Sequence, residues 1–216
     1  EETIFSIQAG RDTLTMLATG GGKSLCFQLP ALLRDGMAVV ISPLISLMKD
    51  QVDSLKDMDI PAEGLNSSLS PQEQRFIVSQ IQKGEVKLLY ISPERLQKES
   101  TTQLLKAVPL SFFVIDEAHC ISHWGHDFRE DYRNLGIIKE TFKPIAVHTF
   151  TATATEEVRR DILEQLRLEN PQTHIGLVDR PNLTYRVRPR SHIIDQVSDL
   201  LKRHADEPGI IYCLRR

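Results

Sequence analysis

Five short apolar runs, at residues 12–18, 37–42, 87–92, 112–115 and 145–149, alternate with stretches of helical spacing. Residues 1–9 read as the end of a helix that Gly10 terminates. Leu44, Leu47, Met48, Val52 and Leu55 share one helix face. Ser70-Pro71-Gln72-Glu73 has capping-box spacing with proline at the first helical position, which predicts a helix from there to near Lys83. Residues 131–142 have mixed helical character, and Thr155-Glu156-Glu157 opens a helix through Val158, Ile162, Leu163 and Leu166. Strands alternating with helices predict an α/β fold built on a doubly wound parallel sheet.

The first run leads into Thr19-Gly20-Gly21-Gly22-Lys23-Ser24, and residues 25–33 follow with helical spacing. A strand, a glycine loop, Lys-Ser and a helix form the context of a phosphate-binding loop. Glycines let successive backbone N–H groups face phosphate oxygens, with the positive end of the helix behind them. Lys23 can then reach the β- and γ-phosphates, and Ser24 can ligate magnesium. The G-x-x-x-x-G-K-[ST] pattern is broken at one place, where Leu17 stands for the first glycine.

Such a loop needs an acid at the end of another strand to hold magnesium. The run Phe112-Phe113-Val114-Ile115 stops at Asp116-Glu117-Ala118-His119. Asp116 suits the metal, and Glu117 suits the water that attacks the γ-phosphate. Beyond them, Trp124 and Phe128 read either as side chains packed in the core or as surfaces that stack on unpaired bases, with Arg129 then on phosphate. His119, Cys120, His123 and His126 also resemble metal ligands, but no second cluster completes a defined spacing, so no zinc is expected. The three cysteines, Cys26, Cys120 and Cys213, lie far apart without a Cys-x-x-Cys pair, which excludes a disulfide framework.

The net charge of −3 excludes a uniformly basic surface, though not a local one. Residues 181–216 carry seven Lys/Arg against four Asp/Glu, reversing the acidic balance of residues 1–180. There residues 183–187 read as a strand, Ser191 as the cap of a helix bearing Ile193, Ile194, Val197, Leu200 and Leu201, and residues 209–213 as the start of another strand. A linker near 176–182 is therefore expected, with one domain at 1–178 and the truncated start of a second α/β lobe at 179–216. No apolar run approaches the roughly 20 residues that span a bilayer, and no signal sequence is evident. No membrane association is expected, and the setting expected is cytoplasmic, in a bacterium around the nucleoid, or nuclear.

Taken together, residues 19–30, the Asp-Glu-Ala-His box, Thr151-Ala152-Thr153 and residues 122–129 resemble the RecQ family of DNA helicases within helicase superfamily 2. Residues 42–51, 91–96 and 210–213 extend the resemblance over essentially the whole chain. It implies a RecA-like P-loop NTPase lobe followed by the start of a second RecA-like lobe, with ATP and magnesium as cofactors. The implied activity is ATP-driven 3′-to-5′ movement on single-stranded DNA, unwinding partly duplex DNA in repair and recombination. Within this resemblance Thr19, Gly20, Gly21, Gly22, Lys23 and Ser24 bind the nucleotide, Ser24 and Asp116 bind magnesium, and Lys23, Asp116, Glu117 and His119 are catalytic, His119 serving communication between lobes. Thr151 and Thr153 link hydrolysis to DNA movement. Trp124, His126, Phe128 and Arg129 belong to an aromatic-rich DNA-sensing loop, and Ser42, Pro43, Ser46, Lys49, Asn66, Pro93 and Arg95 lie along the face that holds the DNA backbone.

Ala18, Glu130 and Phe150 depart from the commoner family residues proline, proline and leucine. A glutamine that reads adenine is expected just before Glu1, and the second lobe's arginine finger beyond Arg216. The chain alone is therefore expected to hydrolyse ATP weakly. An RNA helicase, which carries the same box, and a binding module that uses ATP only to shift affinity are the competing readings.

Overall fold

A computed structural model describes residues 1–176 and 182–213. The chain divides into two compact units, Glu1–Val178 and Asp179–Arg216. In the first, seven strands form one sheet: β1 (Thr13–Met16), β2 (Met37–Ile41), β3 (Ala62–Leu65), β4 (Leu88–Ile91), β5 (Leu110–Ile115), β6 (Val147–Thr151) and β7 (Gln172–Ile175). Their spatial order is β3-β4-β2-β5-β6-β1-β7, and every pairing is parallel. The helices are α1 (Glu2–Gln8), α2 (Lys23–Leu33), α3 (Ile45–Lys56), α4 (Pro71–Gln82), α5 (Pro93–Leu96), α6 (Glu99–Lys106), α7 (Glu130–Arg133), α8 (Ile137–Thr141) and α9 (Glu156–Gln165).

The period of two along each strand divides the core between two faces. Val39, Ile41, Phe113 and Ile115 pack on one side with Ile77 and Ile81 of α4 and Val158 and Ile162 of α9. Ala38, Val40, Phe112 and Val114 pack on the other with Phe27 of α2 and with Met48, Val52 and Leu55 of α3. The expected doubly wound parallel sheet is present, with α1 to α3 covering one face and α4 to α9 the other. Both expected caps form: Ser70 Oγ and Glu73 exchange bonds with each other's backbone N–H, and Thr155 Oγ1 accepts from Val158 N at 3.3 Å. Leu44 departs from the helix face assigned to it, being the exposed residue ahead of α3.

Two strands exceed the five expected. Both β3 and β7 are sheet edges; β3 holds no β-branched or aromatic residue, β7 is a four-residue, largely exposed segment with Thr173 and Ile175 alternating with Gln172 and His174, and pairing with β4 and β1 decides both.

In the second unit, α10 (Ile193–Arg203) is the helix described. It is capped by His192 rather than Ser191, whose N–H instead meets Gln196 Oε1 at 3.4 Å. The expected strands at 183–187 and 209–213 are not formed. A strand needs a neighbour for its N–H and C=O groups, and no described residue supplies one, whereas a helix satisfies its own. The expected linker at 176–182 lies mostly outside the described residues.

Candidate nucleotide and nucleic-acid site

Because the sheet is parallel, β1, β2, β4, β5 and β6 deliver their C-terminal ends to one edge, where open α/β sheets bind ligands. The register aligns these ends: Met16 pairs with Thr151, Ile115 with Thr149 and with Ile41.

The glycine loop joins β1 to α2. Leu17 N donates to Thr151 O at 3.1 Å, and Gly21 N closes a turn on Ala18 O at 2.8 Å. Gly20 and Gly22 have φ of 79° and 82°, a region costly for residues with a side chain. Gly21 is required for space, since a Cβ there would stand 2.8 Å from Ala18 O. Gly22 caps α2, so the first free N–H groups of that helix face the loop, beside exposed Thr19. Lys23 Nζ donates to Leu17 O at 3.3 Å, so the residue in place of the missing glycine contributes its carbonyl.

Asp116 N extends the β5 ladder by donating to Ile41 O at 2.9 Å. Its carboxylate is buried and accepts Glu117 N at 3.0 Å. Burial and the Glu117 carboxylate push its pKa up to about 6, against the pull of the Glu117 N–H and Lys23. A desolvated carboxylate next to a second acid is stabilised by a cation, so the donor set of Asp116 and the Ser24 hydroxyl fits magnesium. Tyr132, unmarked in the sequence, fixes this turn by donating its hydroxyl to Asp116 O at 3.1 Å.

Glu117 has φ of 48° and starts a short 3-10 turn, Ala118–Ile121, that carries His119 back over the strand ends. His119 Nδ1 lies 3.0 Å from Thr151 Oγ1 and 3.3 Å from a Glu117 carboxylate oxygen. Thr151 Oγ1 directs its only proton to Thr153 O at 3.1 Å, so the imidazole must donate from Nδ1. Burial lowers the pKa of this ring while Glu117 opposes the shift. One imidazole thus bridges Glu117 to Thr151 and, through it, to Thr153.

The segment at 122–129 lies directly on this turn. A Cβ on Gly125 would stand 2.4 Å from His119 O, and the His126 ring stacks on His119 at 4.2 Å. Trp124 is 76% exposed, while Phe128 is half-buried against His123 at 3.7 Å. Arg129 is already engaged: it donates to Pro43 O at 3.1 Å and pairs with Asp127 at 3.3 Å. Asp127 also accepts from the Cys120 thiol at 3.8 Å, and burial pushes that thiol up to about 12. Gly125 and Asp127 went unread; a glycine between Trp124 and His126 is the available signal for so close an approach. Among the described residues, no three His, Cys, Asp or Glu side chains converge as metal ligands.

The other expected DNA residues lie toward the ends of β2, β3 and β4. Ser46 and Lys49 are exposed on α3, and Lys49 and Asn66 line a cleft of about 700 Å³ together with Phe76. Asn66 Oδ1 accepts from Ser68 N and Oγ at 2.9 and 2.7 Å. Ser42 and Pro93 are buried, and the Ser42 N–H donates to Ile91 O at 3.2 Å, so neither that N–H nor the hydroxyl reaches the surface. Arg95 donates to Gln74 Oε1 at 3.0 Å.

A glycine loop and an Asp-Glu-Ala-His turn at one sheet edge define a helicase-type nucleotide lobe, and residues 1–161 match the DEAD/DEAH box helicase family. The chain belongs to that family and, within it, to the RecQ family of helicase superfamily 2. It is 45% identical over 219 residues to "Probable ATP-dependent DNA helicase RecS" of Bacillus subtilis, covering 100% of this chain and 44% of that protein. It is likewise 45% identical over 216 residues to "ATP-dependent DNA helicase RecQ" of Haemophilus influenzae, covering 100% of this chain and 35% of that one. The chain thus spans less than half the length of these relatives. The solved structure of the DUF1998 helicase MrfA bound to DNA and AMPPNP shares the fold, with a TM-score of 0.66 at 20% identity over 94% of this chain and 31% of MrfA. No helix among the described residues is long and apolar enough to cross a membrane.

Proposed function

We propose that this chain is the nucleotide-binding lobe, and the opening of a second RecA-like lobe at 179–216, of an ATP-dependent DNA helicase that moves 3′-to-5′ on single-stranded DNA. Repair and recombination are the processes such an activity would serve. The observation that carries this reading is the His119 bridge. It joins the Glu117 carboxylate to Thr151, while its other face carries the loop of exposed Trp124.

In this reading the glycine-loop N–H groups and Lys23 hold the phosphates, and Glu117 orients water in line with the γ-phosphate. Ser24 and Asp116 would hold magnesium, which supplies positive charge against the phosphate oxygens. His119, kept neutral by its surroundings, fixes the Glu117 carboxylate and passes any shift of Thr151 or of the Trp124 loop to it. Trp124 gives a base a stacking surface, and α3 with the cleft beside Asn66 tracks the backbone without reading sequence.

The test is hydrolysis and unwinding by the full-length protein with matched DNA and RNA substrates. DNA-stimulated turnover abolished by Lys23→Ala and by Glu117→Gln is expected, with nucleotide binding retained in the second. Preference for RNA, or nucleotide-dependent DNA affinity without turnover, would overturn the reading. Residues 1–216, which span less than half the length of these relatives, are expected to turn over slowly on their own.

A further inference from the structure

Gln51, in the middle of α3, lies among residues read as DNA-facing, yet its carboxamide is turned toward the phosphate loop. Its Nε2 donates to Ser24 Oγ at 2.9 Å. Its Oε1 accepts from the Tyr90 hydroxyl at 3.0 Å and faces Gln28 Nε2 at 3.4 Å. Gln28 Nε2 in turn meets the Tyr90 oxygen at 3.3 Å. The donors therefore run one way, from Gln28 through Tyr90 and Gln51 to Ser24.

The direction is fixed by chemistry. With Gln28 oriented as it is, turning the Gln51 amide over would set its NH₂ against the Gln28 NH₂ and aim its oxygen at Ser24, whose hydroxyl would then spend its proton on that oxygen. Tyr90 is 1% exposed at the end of β4, and burial raises its pKa well above the ordinary phenol value, so its proton stays available to donate. With one Ser24 lone pair occupied by Gln51, the hydroxyl keeps one lone pair for a cation and its proton for a phosphate oxygen. A serine without that partner is free to rotate, and its proton can occupy the place where the cation must sit.

We infer that Gln51, oriented by Tyr90, is a positioning residue that holds the Ser24 hydroxyl in the rotamer required for magnesium-nucleotide binding. The inference rests on the reading of Ser24 as the phosphate loop's magnesium residue. It also places a side chain of α3 inside the nucleotide site.

The experiment measures binding of a fluorescent ADP to the full-length protein, with magnesium and with EDTA, for wild type, Gln51→Leu, Tyr90→Phe and Lys23→Ala. Wild-type affinity should rise with magnesium. Gln51→Leu should lose about tenfold of that gain, the order expected for one lost hydrogen bond, with EDTA affinity unchanged. Tyr90→Phe, which removes one hydroxyl and keeps the ring, should lose a smaller part of the same gain. An unchanged magnesium gain in both variants, or an equal fall with and without magnesium, would overturn the inference. Failure of wild type to bind nucleotide, or binding indifferent to Lys23→Ala, would instead overturn the proposed function. Should Gln51→Leu fail to fold, Tyr90→Phe decides alone.

Discussion

Asp116→Asn should stabilise the fold while destroying the site. The carboxylate is buried against Glu117, and its pKa is pushed from 3.8 to about 6. At about 1.4 kcal/mol per pH unit, the charged form is then roughly 3 kcal/mol worse off in the fold than in the unfolded chain. The sign follows from which state binds the proton more tightly. Here it is the folded one, so stability from protonation is full below pH 3.8 and is lost as pH rises through 6. Asparagine is nearly isosteric, keeps an oxygen for the Glu117 N–H, and carries no charge. The asparagine variant should therefore exceed wild type by about 3 kcal/mol at pH 8 and by about half that at pH 5, as the linkage relation requires. Urea unfolding of residues 1–216 in EDTA, at both values, measures the difference. A variant no more stable at pH 8, or a gain of the same size at pH 5, would refute the argument that desolvation dominates at this acid.

His148 should contribute the opposite slope. It is fully buried, burial lowers its pKa to about 3, and stability is therefore lost as pH falls below 6.5; His148→Leu should show a smaller drop in urea midpoint between pH 7 and 5. Asp12 joins three elements, accepting from Lys139 Nζ at 2.8 Å, Val147 N at 2.8 Å and Glu169 N at 3.0 Å. Asp12→Ala should cost about 3–5 kcal/mol in thermal or urea unfolding, because it strands a buried ammonium, whereas Lys139→Met should cost less. Trp124→Ala should lower DNA stimulation of ATP turnover by tenfold or more while leaving nucleotide affinity within a factor of two, since the ring is exposed; equal loss of both would show that the indole supports the fold.

The parts that could be read from sequence are those whose physics is local. Ser70 and Glu73 form their capping box from residues three apart, and Gly20 and Gly22 take the positive φ that their lack of a side chain permits. Apolar runs covered on both faces announced the central strands. By contrast, β3 and β7 exist because β4 and β1 present open ladders to them, which Ala62-Glu63-Gly64-Leu65 and Gln172-Thr173-His174-Ile175 do not advertise. Residues 183–187 show the reverse case, since Leu183-Thr184-Tyr185-Arg186-Val187 has a strand-like pattern and no described partner. The same division holds in the site. Lys23, Asp116 and Glu117 are legible from spacing, whereas Gln51, Tyr132 and Asp127 act through neighbours 27, 16 and 7 residues away.

Those distant partners explain how the site holds a geometry that its own residues resist. Glu117 sits at φ 48°, a region that costs a side-chain-bearing residue roughly 1 kcal/mol or more, and its neighbour Asp116 carries a charge that burial opposes. Neither would persist in an isolated strand-turn segment. The Tyr132 hydroxyl on Asp116 O, the His119 ring on Glu117 and the Gly125 backbone against His119 O fix the turn from three sides. Two of those three belong to the turn or to the Trp124 segment that follows it. Movement of that segment therefore relaxes the restraint on Glu117 first, and reaches the glycine loop one residue later, through Thr151, whose hydroxyl meets His119 and whose carbonyl accepts Leu17 N. With Glu117 in its proposed role, coupling through this turn should accordingly alter kcat ahead of nucleotide affinity.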